Sequence, residues 1–232
     1  MSTNEGFQNL NAQNFDANSL ANQTSSVIMF QLVADISGSI CDYEDDMSMA
    51  LDEVFLHELK NSHRAADIVL GKITFGAGVK HEMGFTPILN VQPGSLQIKG
   101  TDNHTCLYAA VEEALISTMA YRKDLEAQGI DVRSNICIIT DGEDNYSKDE
   151  QLKAVNDLVG KLRKNEAWAN SFTITLIGVG QKANFTQAVI DMGLDPDKCL
   201  VEISTSAHDI RKMMGVVSQS VSSSSAANAV QF

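Results

Sequence analysis

The chain has 232 residues, 44% hydrophobic and 20% charged, which are the proportions of an ordinary globular domain with length enough for a sizeable core. A formal net charge of −13 argues against a nucleic-acid duplex or an anionic membrane as partner, since either needs a basic footprint. No run of about 18 apolar residues is present, and the N-terminus has neither a basic n-region nor an apolar h-region, so a cytoplasmic location is expected.

Residues 1–25 are rich in Asn, Gln, Ser and Thr without a period, and are expected to form a flexible polar arm. Val27 to Val33 is a continuous apolar run, the pattern of a strand covered on both faces. It ends in Asp35, Ser37 and Ser39, spaced two apart. Met47, Leu51, Val54, Phe55 and Leu59 then share one face of a helix over 42–60. A strand over 67–75, the turn Gly76-Ala77-Gly78 and a returning strand over 79–83 read as a hairpin at the edge of the sheet. Residues 85–100 hold two of the three prolines and no sustained period, and read as irregular.

A second amphipathic helix is expected from Leu107 to about Gln128, stopped near Gly129. Asn135 to Thr140 is another buried strand, closed by Asp141-Gly142. Further elements follow as a helix over 148–164, a strand over 172–179, a short helix over 185–192, a strand over 199–203 and a helix over 207–221. Residues 222–232, with their serine run, read as a tail, leaving 26–221 as one domain. Alternating strands and helices with one hairpin predict an α/β fold: a doubly wound, mainly parallel sheet of about six strands with one antiparallel edge strand and helices on both faces. In the common strand order, the opening strand and the 135–140 strand are neighbours at the point where the winding reverses.

Asp35, Ser37 and Ser39 fall at the carboxyl end of the first strand, where such sheets bind ligands. Alone, Asp-x-Ser-x-Ser serves equally well as a turn and helix cap. Asp141 ends the second central strand and projects toward the same crevice, and the loop 100–106 adds hydroxyls at Thr101 and Thr105. Two carboxylates and several hydroxyls are hard oxygen donors, suited to octahedral Mg²⁺ or Mn²⁺ rather than Zn²⁺. The four cysteines, Cys41, Cys106, Cys137 and Cys199, lack CxxC spacing and read as reduced, small apolar residues.

Asp35-Ile36-Ser37-Gly38-Ser39, Thr105 in HTCLYAAV, and Thr140-Asp141-Gly142 together resemble the three parts of the metal-ion-dependent adhesion site of von Willebrand factor A (vWA) domains. The resemblance spans roughly residues 26–220. Within that family the chain looks most like compact bacterial proteins of the tellurium-resistance type, by its length and its VVSQSVSSSS end. The resemblance implies that Ser37, Ser39 and Thr105 ligate the cation directly, and that Asp35 and Asp141 do so directly or through water. It selects Thr105 over Thr101 because Cys-Leu-Tyr-Ala-Ala follows Thr105, leaving Thr101 to cap or hydrate the loop. Asp42 stands where some relatives place a second cation, but Tyr43 replaces the next carboxylate. Asp42, Glu44, Asp45 and Asp46 are expected as first-turn helix acids, and Glu143, Asp144 and Asp149 as similar surface groups.

The function this implies is a Mg²⁺-dependent protein-binding module or scaffold that captures an acidic residue, Asp or Glu, of a partner, in a bacterial or phage stress-response or defence assembly. The alternatives are a metal-dependent hydrolase of phosphate esters and a structural subunit with a vestigial site. Against an enzyme, the sequence has no phosphate-binding loop, no Gly-x-Ser-x-Gly elbow and no Asp-x-Asp motif. Its five histidines, His57, His63, His81, His104 and His208, are dispersed, with only His104 beside the candidate site.

Overall fold

The computed structural model describes residues 13–101 and 103–223. A short helix α1 (Ala17–Ala21) leads into strand β1 (Ser26–Asp35). A 3₁₀ turn (Gly38–Asp42), helix α2 (Glu44–Met49), a π-helical segment (Ala50–Leu56) and α3 (His57–Asn61) follow. The hairpin is β2 (Ile68–Phe75) and β3 (Val79–Pro87), four residues longer than the sequence pattern indicates. Then come α4 (Leu107–Ala127), β4 (Asp131–Thr140), α5 (Asp149–Lys164), α6 (Glu166–Ala169), β5 (Phe172–Val179), α7 (Phe185–Asp191), α8 (Pro196–Cys199), β6 (Leu200–Ile203) and α9 (Ala207–Ser222).

The six strands form one sheet in the order β3-β2-β1-β4-β5-β6, parallel throughout except for the β2–β3 edge pair. The expected doubly wound fold is therefore what the chain adopts. Period-two alternation in β1 sends Ile28, Phe30, Leu32 and Ala34 to a core shared with α2, the π segment and α9, while Val33 faces the core under α4 and α5. A strand used on both faces explains why its sequence lacks polar alternation.

The polar N-terminal stretch is corrected by the structure where it is described. Residues 14–25 pack on the domain instead of forming a free arm. Phe15 donates its amide to Phe85 O, Asn14 Oδ1 accepts from Phe85 N, and the Tyr121 hydroxyl donates to Phe15 O. Leu20 is buried in a third cluster with Val27, Phe85 and Tyr121. The amphipathic signal is only a few residues long, and side-chain capping by Asp16 rather than periodicity starts α1. Residues 1–12 and most of the serine-rich end lie outside the described residues.

Residues 88–100 are irregular, as the prolines suggest, yet they are tied down. The Lys72 ammonium donates to Ser95 O and Gln97 O, Ser48 bonds both the amide and carbonyl of Ile98, and Leu96 and Ile98 are buried. Cys41 is exposed, whereas Cys106, Cys137 and Cys199 are buried and no disulfide joins the four. Burial pushes the Cys137 thiol up to about 12 and raises that of Cys199, so both are poor nucleophiles near neutrality. Alkylation of the native protein, mapped by peptide mass spectrometry, should therefore mark Cys41 first and the others only on unfolding. Early labelling of Cys137 would show that the central sheet opens.

Candidate metal centre

The register of the sheet builds the site. Ala34 pairs with Ile139, so one step further Asp35 stands beside Thr140 at the carboxyl ends of β1 and β4. Asp35 Oδ2 accepts the Thr140 hydroxyl at 2.6 Å and Oδ1 accepts the Ser37 amide at 2.7 Å. Both carboxylate oxygens are thus engaged, and the loop carrying Ser37 and Ser39 is folded back over the strand end. Ser37 Oγ and Ser39 Oγ lie 3.1 Å apart, and Ser39 Oγ donates to Asp141 Oδ1 at 2.6 Å. Thr105 is buried on the other side of the notch. A Cβ on Gly142 would sit 3.4 Å from Thr105 Oγ1, which places that hydroxyl against the backbone just after Asp141. All five sequence-predicted site residues therefore converge. Thr101 does not join them: it is exposed, and its amide donates to Ile36 O.

Neighbouring oxygens of an octahedral Mg²⁺ shell lie about 3 Å apart, given metal–oxygen distances near 2.1 Å. The 3.1 Å between Ser37 Oγ and Ser39 Oγ matches that edge length, Ser39 Oγ to Asp141 Oδ1 is a shorter 2.6 Å hydrogen bond, and every donor is an oxygen. The residues present fit a hard divalent cation. Among the described residues no group of three or more His, Cys, Asp or Glu side chains is placed to hold a metal, so the hydroxyls are essential to this donor set.

The loop after Asp141 does more than its acidic composition suggests. Helix α4 starts at Cys106 without a side-chain cap of its own. Its first amides are instead taken by the other loop: Asp144 Oδ1 accepts from Tyr108 N, and Ser147 Oγ from Ala109 N. Asn145 clamps Thr105 from both sides, its Oδ1 accepting the Thr105 amide at 2.9 Å and its own amide donating to Thr105 O at 3.0 Å. Glu143 Oε1 accepts from Asn184 N, reaching the loop after β5. Glu143 and Asp144 are therefore joints between loops, not the free surface acids expected from sequence. Glu44, Asp45 and Asp46 do stand in the first turn of α2, and Glu44 also accepts from Gly100 N at 2.6 Å, whereas Asp42 falls in the preceding 3₁₀ turn. A Cβ at Gly100 would lie 2.6 Å from Cys41 Sγ and 3.1 Å from Ser37 O, so a larger residue there would press on the loop that carries Ser37.

Burial raises the Asp35 carboxyl above its ordinary range, the hydrogen bonds from Thr140 and Ser37 oppose that, and the Asp141 charge adds to it. Tyr43, at the position of the missing second-site carboxylate, is buried in the core. Its hydroxyl is raised by burial first and then by the nearby charges of Asp141 and Asp35.

Two cavities open beside the donors. One of about 580 Å³ is lined by Ser37, Ser39, Thr105, Gly142 and the joint residues. The other, about 730 Å³, runs from Ser39, Tyr43 and Asp141 to the ends of β5 and β6. No protein-family model and no curated protein matches this sequence. Solved structures do. The proximal thread matrix protein 1 (PTMP1) of the mussel byssus superposes with a TM-score of 0.61 at 15% identity, covering 85% of this chain and 47% of that one. The pilus adhesin SpaC of Lactobacillus rhamnosus GG gives 0.63 at 12%, covering 86% and 30%. The von Willebrand factor type A structure from Catenulispora acidiphila gives 0.56 at 12%, covering 86% and 43%.

The fold is that of a vWA domain. This chain spans less than half of the length of those three proteins, so the likeness concerns a part of each. One PTMP1 structure is described as having a zinc-occupied metal-ion-dependent adhesion motif. In the vWA frame, three features of this site escape a motif reading. Thr140 orients Asp35, Asn145 fixes Thr105, and Lys182, from the loop after β5, lines both cavities. The first two lie within or beside Thr140-Asp141-Gly142, but their partners are fixed only by the strand register.

Proposed function

We propose that this chain is a Mg²⁺-dependent protein-binding module, not an enzyme, that captures an Asp or Glu of a partner through the cation. The reading rests on the convergence of the Ser37, Ser39, Thr105 and Asp141 oxygens at an open notch where the strand ends of β1 and β4 meet. Ser37, Ser39 and Thr105 would ligate the ion directly. Asp35, which accepts from the Ser37 amide and the Thr140 hydroxyl, orients the loop, and Asp35 and Asp141 would meet the ion directly or through water. When bound, the ion supplies positive charge left incompletely neutralised by hydroxyl ligands, and so attracts an anionic oxygen. Magnesium or manganese suits this donor set best.

The vWA-fold neighbours include matrix and adhesin proteins, which agrees with an interaction role. His104, the histidine nearest the site, stacks on Tyr146 at 4.4 Å and does not line the cavity, an arrangement that suits a rim better than a general base. The proposed setting is a cytoplasmic bacterial or phage stress-response or defence assembly of the tellurium-resistance type. The test is retention of a partner on immobilised protein. Chelator should release it, Mg²⁺ should restore it, and Thr105→Ala and Asp141→Ala should abolish it while leaving circular dichroism unchanged. A partner held equally well in chelator and by both variants would sink the reading.

A further inference from the structure

We propose that Lys182 is a second anchor beside the metal, and that the partner presents two carboxylates two residues apart on an extended segment. This rests on the metal-dependent reading above and specifies its partner.

Lys182 is exposed, and it is the one basic side chain lining either cavity among the described residues. No ion pair or hydrogen bond involves its ammonium among them. The acids around the metal-side cavity are in a different state. Glu143 accepts from Asn184 N, and Asp144 accepts from Tyr108 N, Ser147 N and the Ser147 hydroxyl. Both keep their charge but are held in place by loop donors, and Lys182 is the one cationic group on that rim among the described residues.

The geometry selects the cavity and the spacing. The larger cavity also contains the exposed acids Asp42 and Glu202, which repel a carboxylate. The metal-side cavity lacks them. A sphere of its 580 Å³ is about 10 Å across, which accommodates the roughly 7 Å between side chains i and i+2 on one face of an extended chain. One carboxylate would reach the ion and the next on the same face the ammonium. A chain of net charge −13 has few ways to attract an acidic segment. The cation and Lys182 supply two, side by side.

The test uses the full chain in saturating Mg²⁺ at low salt, titrated by NMR with acetylated Gly-Asp-Gly-Asp-Gly amide and its Gly-Asp-Gly-Asn-Gly counterpart. The doubly acidic peptide should bind about two- to five-fold tighter, the range of an exposed ion pair. The preference should vanish in Lys182→Gln, and Lys182→Glu should instead prefer Gly-Asp-Gly-Lys-Gly. Mn²⁺ binding without peptide should be as tight or tighter in Lys182→Glu, because a nearby positive charge has gone. This sign is opposite to that expected from damage to the fold. Equal binding of the two acidic peptides, failure of both to bind, or a preference that survives Lys182→Gln would overturn the assignment of Lys182. If peptide binding ignores chelator, it is the metal-dependent reading that fails.

Discussion

Replacing Asp35 by alanine is expected to weaken Mg²⁺ binding by about 10- to 100-fold, the usual effect of removing a group that orients metal ligands. Asp35 acts through the Ser37 amide and through Thr140, so its loss lets the Ser37–Ser39 loop move away from Asp141. The readout is thermal unfolding with and without the ion. A ligand at 100 times its dissociation constant stabilises the native state by about 2.7 kcal/mol, so wild type should gain that much and the variant about 0.4–1.4 kcal/mol at the same concentration. Asp35→Asn, which keeps an acceptor for Ser37 N but removes the charge, separates orientation from electrostatics. Parallel gains in all three proteins would remove Asp35 from the site.

Deleting residues through 25 should cost roughly 3–6 kcal/mol, read as a fall in the urea midpoint at unchanged slope. Leu20 is 2% exposed and contributes about 1.5–3 kcal/mol by burial. The bonds of Asn14 and Phe15 to Phe85 and Tyr121 contribute the rest, and their loss leaves Phe85 N, in the edge strand, without an acceptor. Leu20→Ala alone should cost about 2–5 kcal/mol. An unchanged midpoint in either variant would return the segment to the status of a free arm.

The same segment marks where sequence reading stopped. The central strands and the long helices were legible because burial on one or two faces writes a period of two or 3.6, or erases polar residues altogether, as in Val27–Val33. The Asp-x-Ser-x-Ser, Thr and Thr-Asp-Gly parts were legible because their residue types and their positions at strand ends agree. Asn14, Phe15 and Leu20 carry no period; their fixation comes from Phe85 and Tyr121, far along the chain. Asp144 read as a surface acid, and Asn145 drew no reading, for a similar reason. Their partners are amides of α4, and no side-chain pattern announces which amide lacks an acceptor. Lys182 became visible only when β5 placed its loop beside that of β4.

The two hydrogen bonds that close the metal notch, Ser39 to Asp141 and Thr140 to Asp35, join positions 102 and 105 residues apart. Neither can form until β1 and β4 lie side by side, with the hairpin and the whole of α4 already looped out between them. Parallel pairing at that separation is slow, because the entropy of closing the loop is lost before any contact compensates it. The donors therefore meet late in folding, and a chain still searching for its topology presents no such site. Mg²⁺ should accordingly leave the refolding rate almost unchanged and lengthen the lifetime of the native state, moving the unfolding arm of the chevron alone.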